Sequence, residues 1–106
     1  MRNEVVVIIP AYNPDDKLFM GLQKIIDKGF SKIIVVNDGS KEECCQIFEK
    51  VSLLLQKVQG VILKHSVNLG QGRAYKTAFN YYLEHFSDTI GVIQCDADGQ
   101  HHIDDV

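Results

Sequence analysis

Four short runs of aliphatic and β-branched residues punctuate the chain, Glu4 to Ile9, Lys32 to Val36, Val61 to Lys64 and Thr89 to Cys95. Between them lie longer stretches in which apolar positions return every three or four residues. Runs of four to seven apolar residues suit strands buried on both faces, and the longer periodic stretches suit helices with one face against a sheet. The predicted order is βαβαβαβ. The first helix is expected over Asp15 to Lys28, with Leu18, Leu22, Ile25 and Ile26 on its inner face and Gly29 as its stop. Ser40 is expected to cap the second helix, with Glu43 reaching back, and Cys44, Phe48, Val51, Leu55 and Val58 form its core stripe. The third helix is expected to start near Gly70 or Gly72, to present Ala74, Ala78, Tyr81 and Tyr82 on one side, and to end near His85.

Strands alternating with helices through short connections imply right-handed crossovers and a mainly parallel sheet covered on both faces. The expected fold class is α/β, a three-layer αβα Rossmann-like arrangement with strand order 3-2-1-4. That order reverses between the first and fourth strands. The loops after Ile9 and Cys95 then flank one crevice beyond the carboxyl ends of the strands, where ligands of open α/β sheets gather. Asn37 and Asp38, at the exit of the second strand, join them.

The segment VIQCDADGQH, Val92 to His101, carries the densest chemistry. Asp96 and Asp98 directly follow an apolar run, and carboxylates two residues apart can hold a hard cation such as Mg²⁺ or Mn²⁺. Gln100 offers a further oxygen. Taken alone, Asp-Ala-Asp-Gly is equally a turn built from residues that tolerate turn geometry. Three strand ends therefore carry polar or turn-forming residues, namely Pro10-Ala11-Tyr12-Asn13, Asn37-Asp38-Gly39-Ser40 and Asp96-Ala97-Asp98.

Composition narrows the field. At 106 residues, 45% hydrophobic and 24% charged, the chain reads as one globular unit able to bury a modest core. Its net charge of −3, with Lys and Arg scattered among acids, gives no nucleic-acid footprint. Cys44, Cys45 and Cys95 match neither a disulfide framework nor a C-x-x-C knuckle, which fits a reducing compartment, and all three read as packing residues. Val5 to Pro10 is too short to span a bilayer and follows Glu4 rather than a basic cluster.

With these blocks in view, VVVIIPAYNPDD, IIVVNDGS, HSVNLGQGRAYKTAF and VIQCDADGQHH, the chain resembles the family-2 glycosyltransferases of GT-A fold. The resemblance covers nearly all 106 residues, and the DADGQH form is most similar to polyprenyl-phosphate sugar transferases and their relatives. It implies that Pro10, Ala11 and Tyr12 border the base and ribose of a nucleotide, Tyr12 by stacking, and that Asp38 accepts a hydrogen bond from the base. The family often has an acid after the Tyr-Asn pair, whereas here Pro14 intervenes before Asp15 and Asp16, a departure from the family pattern for any carboxylate contact from that loop. Asn68, Gly70 and Gly72 would let backbone approach a diphosphate at a helix N-terminus, with Arg73 adding positive charge. The Gly70-x-Gly72 pair is not a dinucleotide fingerprint, because Tyr75 stands where a third glycine belongs. Asp96, Ala97 and Asp98 match the family's DxD motif, so Asp96, Asp98 and Gln100 would hold Mg²⁺ or Mn²⁺ on the diphosphate. His101 and His102 read as loop residues beside oxygen ligands, and His65 and His85 belong to no motif.

The resemblance further implies inverting transfer of a sugar from a UDP- or GDP-linked donor to an acceptor glycan or lipid phosphate. The family's catalytic base lies beyond the metal motif and is expected beyond Val106. Residues 1–106 are thus expected to be the nucleotide-sugar-binding portion of a GT-A domain about twice this length, inactive alone. Its expected place is the cytoplasm, at the membrane face only through regions beyond this sequence, with self-association as a further expectation because a cut domain exposes apolar edges. Two rivals differ in class. A haloacid-dehalogenase-like phosphatase shares a D-x-D-G motif, yet carries it after its first strand and with threonine where Gln100 stands. A non-enzymatic nucleotide-binding module would bind without turnover.

Overall fold

Alternation of side chains across a buried strand organises the molecule. The computed structural model describes residues 5–86, 89 and 91–94. Strands β1 (Val5–Ala11), β2 (Lys32–Asp38), β3 (Gln59–His65) and β4 (Gly91–Gln94) form one sheet in the order β3-β2-β1-β4, as expected. All three pairings are parallel. Helices α1 (Asp16–Asp27), α2 (Cys45–Leu55) and α3 (Gln71–His85) connect them, and a single 3₁₀ turn, Glu42–Cys44, leads into α2.

Val7, Ile9 and Ala11 of β1 and Ile33 and Val35 of β2 point to one face, where they meet Leu18, Leu22 and Ile25 of α1 and Phe48, Val51, Leu54 and Leu55 of α2. Val6, Ile8, Ile34 and Val36 point to the other face and meet Ala74 and Ala78 of α3. Because every second residue enters a different core, both strands must be apolar throughout, which is why they read as continuous runs. The alanines let α3 lie close on the sheet, while Tyr75, Tyr81, Tyr82 and Phe86 close the rim of that core.

Local chemistry sets the ends. Asp15 caps α1 rather than opening it, accepting the Lys17 amide at 2.9 Å. The expected cap of the second helix is corrected. No side chain caps the 3₁₀ turn at Lys41, and the Ser40 hydroxyl instead accepts the amide of Asn13, 27 positions away. A cap is a local choice, and here a longer-range donor took the oxygen. Val58 lies beyond the end of α2 but still packs on the same core. Cys44 is buried in that core, whereas Cys45 is exposed, which corrects its reading as a packing residue. Glu4, the expected start of the first strand, and Cys95, the expected end of the fourth, lie outside the described residues. Among the described residues no helix is long and apolar enough to cross a membrane.

Candidate functional site

The carboxyl ends of β1 and β2 lie side by side, with Pro10 opposite Val36 and Ala11 opposite Asn37. β4 runs parallel on the other side of β1 and ends at Gln94, opposite Ile8. The sequence order reverses here, between β1 and β4, the position at which open α/β folds commonly bind their ligands. Asp96, Ala97, Asp98 and Gln100, which follow β4 in sequence, lie outside the described residues. So does Val106, beyond which the catalytic base is expected.

Two loops at this end are tied together. Asn37 Oδ1 accepts the Ser40 amide at 3.0 Å, Ser40 Oγ accepts the Asn13 amide at 2.9 Å, and Asn13 Oδ1 accepts the Lys41 amide at 2.8 Å. Asn13 has φ of 48°, a left-handed conformation that asparagine tolerates better than most residues. This clasp fixes the backbone on the C-terminal side of Tyr12, a residue 51% exposed. An exposed aromatic on an anchored loop is a surface on which a flat ring can stack.

Asp38 is the centre of the second cluster. It is 3% exposed, yet its carboxylate takes four donors. Oδ1 accepts from His65 Nδ1 at 2.8 Å and from the Leu69 amide at 2.9 Å, while Oδ2 accepts from Asn68 Nδ2 at 3.0 Å and from the Gly70 amide at 3.0 Å. An ionised carboxylate offers about four acceptor sites, so these are filled. Burial pushes the Asp38 carboxyl upward, but the His65 hydrogen bond, the Leu69 and Gly70 amides and the charge attraction of His65 outweigh it, holding the group below the ordinary carboxylate value. Asp38 is thus an anion engaged by the protein itself. The base contact that the resemblance assigns to Asp38 would share this carboxylate with those four donors.

The loop it grips leads into α3. Gly70, the residue before the helix, has φ of 94° and ψ of 159°, a region essentially confined to glycine, and no side chain caps the helix. The first amides of α3 therefore point outward without an intrahelical acceptor, next to an exposed Arg73 on the first turn. Free amides, a helix dipole and a guanidinium together attract an anion. Gly39, at φ of 71°, passes so close that a β-carbon there would sit 2.2 Å from the Val67 carbonyl carbon. The turn after β2 and the loop before α3 are thereby pressed backbone to backbone.

The structure joins Asp38, Asn68 and Gly70 directly and sets Pro10, Ala11 and Tyr12 on the neighbouring strand end. Two participants went unread in the sequence, His65 and Thr77, whose hydroxyl lies 2.8 Å from His65 Nε2. A signal existed for His65, a polar residue closing an apolar run three positions before Asn68.

The parallel αβα sheet with order β3-β2-β1-β4 and the loop gripped at the head of α3 define an α/β unit of the Rossmann-like class. Residues 6–106 match the model of glycosyl transferase family 2, and the chain belongs to that family. The phosphatase reading is set aside by that match. Among relatives, the chain is 34% identical over 106 residues to the uncharacterized protein MJ1222 of Methanocaldococcus jannaschii, covering 99% of this chain and 40% of that protein. It is 28% identical over 112 residues to the UDP-N-acetylglucosamine–dolichyl-phosphate N-acetylglucosaminyltransferase of Methanococcus voltae, covering 96% of this chain and 44% of that enzyme. The chain thus spans less than half the length of the curated relatives it matches. Among solved structures, the mannosyltransferase PcManGT of Pyrobaculum calidifontis, in complex with GDP-Man and Mn²⁺, shares the fold with a TM-score of 0.72 at 20% identity. The match covers 90% of this chain and 27% of that one.

Proposed function

We propose that this chain forms the donor-binding part of an inverting glycosyltransferase that moves a sugar from a nucleotide-diphosphate sugar to an acceptor glycan or lipid phosphate. The observation that carries the proposal is the loop 68–70, clamped on a buried anion at the carboxyl end of β2, so that the uncapped head of α3 stands at the same end of the sheet as the loop after β1. Family membership over residues 6–106 gives that geometry its chemistry. In this reading Tyr12 stacks on the base, Pro10 and Ala11 border the ribose, and the α3 amides with Arg73 meet the diphosphate. Asp38 acts through the loop it holds rather than on the base.

Asp96, Asp98 and Gln100 supply only oxygen, the donor set that suits Mg²⁺ or Mn²⁺, and are assigned to that ion. Such an ion offsets negative charge on the departing nucleoside diphosphate. The relative from Methanococcus voltae is named for a UDP-linked donor and a dolichyl-phosphate acceptor, and PcManGT was solved with GDP-Man and Mn²⁺. These names support a sugar nucleotide as donor and a lipid phosphate as one acceptor class.

Calorimetric titration of UDP and GDP, with and without Mn²⁺, on the wild-type chain and on Asp98→Ala tests the reading. The expected result is binding of one nucleotide that requires Mn²⁺ and weakens at least about tenfold in Asp98→Ala, equal to about 1.4 kcal/mol. Failure of a folded chain to bind either nucleotide, or binding indifferent to both metal and Asp98, would overturn it.

A further inference from the structure

His65 belongs to none of the groups assigned above, yet its side chain is only 9% exposed and both ring nitrogens are engaged. Its place follows from strand register. Asp38 and His65 are the last pair of the parallel β2–β3 ladder, and both lie on the face that carries Ile34, Val36, Val61 and Leu63. That face is covered by α3, where Thr77 shares the inward side with Ala74 and Ala78. The ring therefore stands between the carboxylate and the helix, 2.8 Å from Asp38 Oδ1 through Nδ1 and 2.8 Å from Thr77 Oγ1 through Nε2.

A carboxylate rotates freely unless its partners fix its plane. Leu69, Asn68 and Gly70 all belong to the loop being held, so they cannot serve as its reference. His65 can, because its ring is anchored at the strand end and braced against the body of α3. Since an ionised carboxylate only accepts, Nδ1 must carry the hydrogen of that bond.

We propose that His65 is a positioning residue: wedged between Asp38 and Thr77, it fixes the plane of the Asp38 carboxylate, and through it the Leu69 and Gly70 amides, so that the loop at the head of α3 is set before any anion arrives. The positioning stands on geometry alone, and the identity of the anion as a nucleotide diphosphate rests on the donor-site reading. Preorganisation of this kind appears in binding because the ordering cost is met before the ligand is engaged.

Two readouts test it. The first needs no ligand. Amide hydrogen exchange at Leu69 and Gly70 should accelerate on the order of tenfold or more in His65→Ala, relative to Ile8 and Ile34 in the same sample. His65→Asn places an amide donor near the position of Nδ1 and should return the rates to within about threefold of wild type. Thr77→Val, which keeps shape but removes the brace, should fall between them. Rates at Leu69 and Gly70 that rise no more than those of Ile8 and Ile34, or an Asn variant no better than Ala, overturn the proposal. Should His65→Ala not fold, long-range ¹H–¹⁵N spectra of the wild-type ring decide. A hydrogen on Nδ1 is required, and a neutral ring protonated at Nε2 alone refutes it.

The second readout is the titration of UDP and GDP with Mn²⁺. His65→Ala should weaken the wild-type affinity about tenfold with the metal requirement intact, and His65→Asn should restore it. Unchanged affinity beside accelerated exchange overturns the link from loop to ligand. If the wild type binds neither nucleotide, the donor-site reading has failed, and the exchange rates still decide the role of His65.

Discussion

Asp38→Asn isolates the charge at the centre of the site while keeping its shape. Four N–H groups converge on the carboxylate, two on each oxygen, at 2.8 to 3.0 Å. An amide retains one oxygen, so whichever way it turns, its NH₂ group faces two donors. Hydrogen bonds to a charged partner contribute about 1.5–3 kcal/mol each, and a buried donor left unmatched costs about 1–3 kcal/mol. Asn68 is exposed and can turn its amide to water, which relieves one clash. The net loss is then about 3 kcal/mol, a large share of the roughly 5–15 kcal/mol that holds a domain folded. Urea unfolding monitored by circular dichroism should show a midpoint lower by roughly 1.5–2 M at an unchanged slope of about 1.5–2 kcal/mol/M. The effect should also depend on pH. Because the folded-state pKa of Asp38 is lowered, the unfolded chain takes up the proton first as pH falls. The carboxylate's contribution is therefore complete above about pH 4 and is lost as pH drops from there through the folded-state value. The gap between wild type and Asp38→Asn should narrow over that interval. A loss under about 1 kcal/mol at neutral pH, or a gap constant down to the acid transition, would refute the ionised four-donor arrangement.

Three further substitutions probe other parts of the same frame. Gly39→Ala puts a β-carbon 2.2 Å from the Val67 carbonyl carbon at a φ of 71°, so thermal unfolding should show a loss above about 2 kcal/mol, and a loss within about 0.5 kcal/mol would contradict the close approach. At Asn13, φ of 48° and the Lys41 hydrogen bond predict that glycine is tolerated better than alanine, with Asn13→Ala costing about 1–2 kcal/mol in denaturant titration; the reverse order would argue against the left-handed conformation. On α1, Leu22→Ala empties a fully buried position and should cost about 2–5 kcal/mol, whereas Met20→Ala, 63% exposed on the same helix, should stay within about 0.5 kcal/mol; equal losses would contradict the assigned faces.

The continuous apolar runs of the first two strands were legible because burial on both faces leaves no room for polar alternation, and the spacing of Leu18, Leu22 and Ile25 fixed the face of α1. Strand order followed from alternating elements and short crossovers. Ser40 was misread because its capping role is judged within a few residues, while the amide it accepts comes from Asn13, on the loop after the neighbouring strand.

The sequence by itself thus determined the α/β class, the order of the elements, the crevice end of the sheet and the family, since periodicity, turn residues and motif spacing are properties of neighbouring positions. Tertiary structure alone decided what Asp38 does. Its partners His65, Asn68, Leu69 and Gly70 stand 27 to 32 positions away, and Thr77 reaches it only through His65. Parallel register and the seating of α3 on small alanines bring them within hydrogen-bond reach, and no local pattern encodes a contact made across two strands and a helix.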